Sequence, residues 1–372
     1  MKQYHDLLKE VLTNGEVQYE PRTEEYILGI PGSQRVYDLR QGFPLMTTKN
    51  VPIRLPAEEL FWKLRGERSV KTLFDKNVHI WDANAFDQYL KVNKLKDNFP
   101  KHTQEWAEEF DAWKERLSRG EENGDLGPVY GHQWRYWKKP TFVPAHAEGI
   151  EWMGDRWEIK DIDQLDQLLK DIREKPGSRY HVLNAYNVGD LKEMALGPCP
   201  FWHQFTVYDD QLDLHMVQRS CDTFLGVPFN IAQDSLLAHM IARETGLEAR
   251  NFIHTTINTH IYLGVSPRSD FWKNPANVLE FQTKVDDVTE LSDYKEVRDW
   301  YLSEASEEKE LDIGKDHIPD VLTQLSKEPR SLPTLELRMG FIYEAIEKPV
   351  GEVAKVLDYN PHKWKTNSQM AA

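Results

Sequence analysis

Residues 199–222 read CPFWHQFTVYDDQLDLHMVQRSCD, and the reading of this stretch decides the fold. Phe201–Tyr208 and Leu212–Gln218 are aromatic and apolar at strand spacing. Asp209-Asp210 between them is a turn signal. A hairpin closed at that turn lays positions 199–201 beside 218–220. Cys199, held between Pro198 and Pro200, then lies next to Arg219 and Ser220.

Outward from the hairpin, the chain mixes both element types. Tyr180–Asn187 upstream reads as a strand, as do Gln34–Leu39 and Thr334–Arg338, and Asn251–Leu263 is β-rich. Residues 3–13 form a helix with Tyr4, Leu7, Leu8, Val11 and Leu12 on one face. Ala57–Leu64 and Ile231–Thr245 are apolar, buried helices. Residues 103–118 set Trp106, Phe110, Trp113 and Leu117 at helical spacing, and Asp161–Ile172 does the same with Leu165, Leu168, Leu169 and Ile172. Residues 283–316 are strongly acidic and read as a solvated helical insertion. There is no regular βαβ rhythm, which points to an α+β fold on one large mixed or antiparallel sheet.

Composition excludes several classes. The 372 residues are 40% hydrophobic and 29% charged, enough to bury a core. The formal net charge of −15 argues against a nucleic-acid partner, which needs a basic footprint, but leaves room for a small anion held by a local arginine cluster. No run of ~18 apolar residues is present to span a membrane. The two cysteines rule out a disulfide framework and a cysteine-rich zinc site. The thirteen histidines show no HxxxH or HExxH grouping, so no metal is expected. A reducing, cytoplasmic setting follows.

Spacing alone leaves the chemistry open. Cys199 is either a buried small hydrophobe or a nucleophile, and a nucleophile needs nearby positive charge. Arg219 could supply that charge and, with Ser220, bind a phosphate; it could equally make an ordinary strand-end ion pair. Cys221 packs rather than reacts. His260 and Tyr262 are two apart and face one side of a strand, either as core residues or as a pair for a ribose hydroxyl.

Longer motifs narrow this. Gly124-Asp125-Leu126-Gly127-Pro128-Val129-Tyr130-Gly131-His132-Gln133-Trp134-Arg135 resembles the signature of thymidylate synthases. So does Gln218–Asp222 followed by Gly226–Ala232. Gly42–Lys49, Ile80-Trp81-Asp82, Thr259–Tyr262 and Tyr359–His362 agree in order. The resemblance spans residues 1–372 as one domain, with insertions at about 87–121 and 266–316. It implies the family's large mixed β-sheet at a homodimer interface, and one-carbon transfer from 5,10-methylenetetrahydrofolate to C5 of dUMP. By that resemblance Cys199 is the nucleophile, Glu59 the acid–base carboxylate (with Glu58 its rival) and Tyr130 the residue near the C5 proton. Arg22, Arg219 and Ser220 match phosphate ligands, with Arg179 reaching the partner subunit's site. Asn230 matches the base reader, and its amide suits uracil better than cytosine. His260 and Tyr262 match the 3′-hydroxyl pair. Lys49, Trp81, Asp222 and Leu225 match folate contacts.

The chain departs from the family at four places. Pro200 stands where the family usually has His after the nucleophile. Tyr180 replaces the second arginine beside Arg179, and Thr255–Asn258 precede His260 in place of the usual glycine and aspartate. The end, Lys363–Ala372, lacks the usual folate-covering tail. The phage pyrimidine hydroxymethylases resemble this pattern, since they also lack the His. Both branches share the nucleotide–Cys adduct and an exocyclic methylene. Water then gives 5-hydroxymethyl-dUMP, whereas hydride gives dTMP and dihydrofolate. The departures favour a dUMP hydroxymethylase, in the host cytoplasm if the chain is viral, with thymidylate synthase the alternative.

Overall fold

The computed structural model describes residues 1–101, 103–144 and 156–369. Its centre is a seven-stranded mixed sheet: β1 (Glu16–Glu20), β2 (Glu25–Asp38), β3 (Val182–Asn184), β4 (Pro200–Tyr208), β5 (Gln211–Gln218), β6 (Cys221–Asp222) and β7 (Glu248–Gly264). The spatial order is β1-β2-β7-β5-β4-β3, with β6 beside β7. β5 and β6 run parallel to β7, and the other pairs are antiparallel.

The expected hairpin is present. Tyr208 pairs with Gln211, and Asp209 takes φ +54°, a conformation Asp tolerates. The register slips between Pro200 and Trp202. Proline cannot donate to the ladder, and a bulge at the strand's first residue accommodates it.

Helices cover one face. The described helices of eight or more residues are α1 (Lys2–Asn14), α2 (Arg54–Leu64), α3 (Asp82–Val92), α4 (Gln104–Ser118), α5 (Gln164–Glu174), α6 (Gly226–Thr245), α7 (Pro275–Asp286), α8 (Asp293–Glu304) and α9 (Ile318–Leu325), of which α3 and α4 pack away from the sheet. The predicted stripe of α1 is fully buried. The main core lies between α1, α6 and the sheet. A second cluster joins Trp62, Phe86, Trp113, Leu117 and Tyr130 around α2, α3 and α4.

Several boundaries differ from expectation for identifiable reasons. β2 starts at Glu25, well before Gln34: pairing with β1 and β7 carries the strand through Gly29, Pro31 and Gly32, which read locally as strand breakers. Gly32 is required there: a Cβ would come within 2.6 Å of the Thr256 carbonyl oxygen. Only Val182–Asn184 of the expected Tyr180–Asn187 strand pairs with β4. α6 begins at Gly226, since Pro228 is tolerated in a first turn. Asp161 and Ile162 belong to a hairpin with Lys138 and Trp137, and α5 starts after its cap, Asp163.

The acidic stretch is not simply solvated. α7 and α8 bury Phe281, Val285, Tyr294, Val297 and Tyr301 in the main core. Trp272 packs edge-on against Phe281 with ring centroids 4.8 Å apart. An apolar stripe is hidden there by the surrounding carboxylates, and burying each ring contributes about 1.5–3 kcal/mol.

Candidate active site

One cleft collects most of the expected residues. Arg22, Glu59, Trp81, Tyr130, Cys199, Ser220, Asp222, Asn230, His260 and Tyr262 all line it. They come from α2, β6, α6, β7 and the segments between elements.

The hairpin positions the thiol. The Arg219 backbone N–H donates to the Cys199 carbonyl (2.9 Å), and the Cys199 N–H donates to the Tyr130 hydroxyl (3.2 Å). The Arg219 guanidinium donates from Nε to the Pro198 carbonyl (3.0 Å) and from Nη2 to the Gly197 carbonyl. Arg219 therefore clamps the loop carrying Cys199 instead of making the ordinary ion pair that spacing allowed. Cys221 is fully buried, and burial pushes its thiol well up, away from thiolate character.

Tyr130 carries backbone strain at φ +42° and ψ −108°. The next residue must be Gly131, because a Cβ there would sit 1.7 Å from the Lys63 carbonyl oxygen. This close approach puts the Tyr130 ring against Trp81 (5.4 Å) and beneath Lys63 Nζ (4.6 Å). Burial, then the neighbouring Cys199, pushes the Tyr130 hydroxyl well above its usual range, so it stays neutral.

The two adjacent glutamates separate by helix phase. Glu58 turns away to Lys76 (2.8 Å), whereas Glu59 faces the cleft. Glu59 sits 3.0 Å from Lys63 Nζ and accepts from Trp81 Nε1 (3.0 Å) and Gln233 Nε2 (2.8 Å). Lys63 Nζ also donates to Gln233 Oε1 (2.6 Å). Sequence reasoning missed Lys63 and Gln233. Lys63 did have a signal, being four residues after Glu59 on one helix. Gln233, on α6, had none.

On the other wall, Asp222 Oδ1 accepts from the backbone N–H groups of Phe224 (3.0 Å) and Leu225 (3.1 Å). Its Oδ2 is buried without a partner among the described residues. Burial alone would raise the Asp222 carboxyl, but His317, 3.7 Å away, and His260 hold it below the usual range. His317 is another missed residue, far downstream of Asp222, and its own value is raised by Asp222 against burial.

His260 and Tyr262 share the cleft face as expected, with rings 5.1 Å apart. His260 Nδ1 donates to the Asn258 carbonyl (2.8 Å), leaving Nε2 free to accept. Burial lowers the value of His260 and so favours this neutral form. Asn230 enters from the first turns of α6.

Lys49, Arg219, Leu225 and Arg179 do not line the cleft, although Arg219 holds the loop that does. Lys49 is buried behind it, donating to the Phe224 carbonyl and standing 3.8 Å over the Phe224 ring. Burial lowers its value to about 8, against the pull of Asp222 and Asp320. It supports the 222–225 turn from behind. Leu225 is the N-cap of α6 at that turn. Arg179 is exposed, in the loop after α5, with its carbonyl accepting from Gln204 Nε2 (3.2 Å). Among the described residues no group of three or more His, Cys, Asp or Glu is placed to hold a metal.

Comparison with known proteins identifies the family of the chain. The thymidylate synthase family model matches residues 2–372. Thymidylate synthases of Listeria monocytogenes serotype 4a and of Listeria innocua serovar 6a are each 39% identical over 277 residues, covering 70% of this chain and 82% of the relative. The chain that builds this cleft belongs to the thymidylate synthase family.

Proposed function

We propose that this protein is a thymidylate synthase, converting dUMP and 5,10-methylenetetrahydrofolate to dTMP and dihydrofolate. The family's one-carbon transfer and its folate co-substrate frame the reading. The folate supplies the one-carbon unit and the hydride. The unpartnered Asp222 Oδ2 suits an N–H donor of its pterin ring.

The chain's own groups divide the work. The Cys199 sulfur adds to C6 of uracil and makes C5 enolate-like. Glu59, tied to Lys63, Gln233 and Trp81, handles protons at the base. Asn230 reads the uracil edge. Arg22, Arg219 and Ser220 take the phosphate, with Arg219 also setting the thiol's loop. His260 and Tyr262 take the 3′-hydroxyl. Elimination of Cys199 after hydride transfer releases dTMP. The reading requires a reducing, cytoplasmic compartment, because Cys199 must stay a thiol.

The observation that carries the hydride branch is the anchored end of the chain. Asp320 accepts from the backbone N–H groups of Asn367 and Ser368 (both 3.0 Å), and His317 Nε2 donates to the Gln369 carbonyl (2.9 Å). Residues 367–369 are thus held against Asp320 and His317, and His317 lies 3.7 Å from Asp222, on the side of the cleft where excluding water matters. The names of the relatives support the same branch. One observation favours the second reading, dUMP hydroxymethylase: Pro200 lines the cleft beside Cys199 and offers no proton donor. A single incubation of protein, dUMP and methylenetetrahydrofolate separates them. A methylated nucleotide with equimolar dihydrofolate is expected. A hydroxymethylated nucleotide with no dihydrofolate absorbance overturns the hydride branch.

We also propose a homodimer with shared sites. The sheet face away from the helices aligns Val36, Ile253 and His215 in one row, and Thr255, Val217 and Trp202 in the next. None of these six is fully buried, and Val36 is 46% exposed. A sheet with both faces apolar needs a second layer. An isologous partner would bring Arg179 to the neighbouring cleft. Mixing Arg179→Ala protein with Cys199→Ser protein should recover about a quarter of wild-type activity, since half the dimers then hold one intact site. Activity no greater than the sum of the parents defeats the shared site.

A further inference from the structure

We infer that Lys63 is a positioning residue that confines proton exchange at Glu59 to one carboxylate oxygen, Oε2. The inference rests on the proposed acid–base role of Glu59 and assigns that role to an atom. Lys63 lies one helical turn after Glu59 on α2 and is buried, yet it lines the cleft. Burying an ammonium is costly unless its protons are received. Gln233 Oε1 accepts from Lys63 Nζ at 2.6 Å, Glu59 Oε1 stands 3.0 Å from it, and the Tyr130 ring presents its face 4.6 Å away.

The bond to Gln233 fixes that side chain's amide. With Oε1 on the ammonium, Nε2 points the other way and donates to Glu59 Oε2 (2.8 Å) and to the Pro56 carbonyl (3.0 Å). Turned over, the amide would set its NH2 against the ammonium and its oxygen against two other oxygens. A carboxylate has about four acceptor positions, two on each oxygen. On Glu59, Oε1 has both filled, by Lys63 and by Trp81 Nε1 (3.0 Å). Oε2 has one filled, by Gln233. A proton on Oε1 would meet two donors and no acceptor, whereas Oε2 keeps one open position for a proton exchanged with the base. Replacing Lys63 by an apolar chain reopens Oε1, and the carboxylate can then take its proton on the wrong atom.

The test measures kcat and the dUMP KM for Lys63→Met in two backgrounds, wild type and Glu59→Gln, at a temperature where circular dichroism shows every protein folded. In the wild-type background Lys63→Met should lower kcat about tenfold, with the dUMP KM within about twofold. In the Glu59→Gln background no carboxylate remains to orient, and the same change should cost less than about twofold. Gln233→Met carries the test if Lys63→Met does not fold. Gln233 does not line the cleft, so its loss reaches the chemistry only through Glu59 and Lys63. It should lower kcat about fivefold, again only where Glu59 is intact. Equal losses in both backgrounds would set Lys63 to work on the nucleotide directly and overturn the inference. A lower melting temperature with kcat unchanged would leave Lys63 a structural ion pair and overturn it too. Full activity in Glu59→Gln would overturn the acid–base reading and the inference together, an outcome distinct from either of the others.

Discussion

Cys199→Ser binds dUMP nearly as well as wild type and turns it over at least about 10⁴-fold more slowly. Binding survives because the groups assigned to phosphate, base and sugar are other side chains: Arg22, Ser220, Asn230, His260 and Tyr262 line the same cleft independently. The loop geometry survives as well, since Arg219 and Tyr130 hold positions 197–199 through backbone atoms. Turnover stops because an alcohol is almost entirely un-ionised at neutral pH and cannot add to uracil C6. Isothermal titration with dUMP and a steady-state assay check the two halves. Residual activity within tenfold of wild type would remove Cys199 from the mechanism.

Glu59→Gln separates catalysis from stability. General acid–base groups typically supply 10²–10⁴-fold, so kcat should fall by about that factor, with dUMP affinity held. The fold should lose little, because Lys63 keeps its bond to Gln233 Oε1. Lys63→Met is the contrasting variant. It leaves a buried carboxylate beside an apolar chain, and breaking such a pair costs about 3–5 kcal/mol. The double variant, with neither charge, should melt closer to wild type than Lys63→Met and stay inactive. Glu58→Gln is the control and should keep kcat, since its carboxylate points to Lys76. Thermal melts and kcat on the four proteins decide it. Full activity in Glu59→Gln, or loss only in Glu58→Gln, would reassign the proton-handling role.

Much of this site is legible in the amino-acid order alone. The hairpin across Asp209-Asp210 is a local matter of strand patterning and a turn, so the meeting of Cys199 with Arg219 and Ser220 can be read directly. The shared face of His260 and Tyr262 follows from the period of a strand. The α1 stripe follows from the period of a helix. In each case a residue's direction is fixed by its own few neighbours along the chain.

Other features need long-range packing. Glu58 and Glu59 are equally buried, and helix period alone does not say which neighbour stands on which side. Trp81 and Gln233, 22 and 174 residues away, make Glu59 the cleft residue. Lys49 fits a folate contact by motif, yet the turn at Phe224 takes its ammonium inward. The acidic 283–316 stretch has the composition of solvated growth, but Tyr301 within it meets Trp272 in the core, with rings 5.4 Å apart.

By itself, then, the sequence determined the family, the hairpin that presents Cys199 and the strand face that His260 and Tyr262 share. These are encoded in contiguous motifs and local periodicity, where backbone geometry leaves one answer. The tertiary structure alone decided which glutamate faces the cleft, that Arg219 clamps a loop, that Lys49 sits behind the turn, and that His317 stands between Asp222 and the chain end. Those assignments depend on side chains brought within about 3–4 Å from distant positions, and such contacts arise only when the core closes.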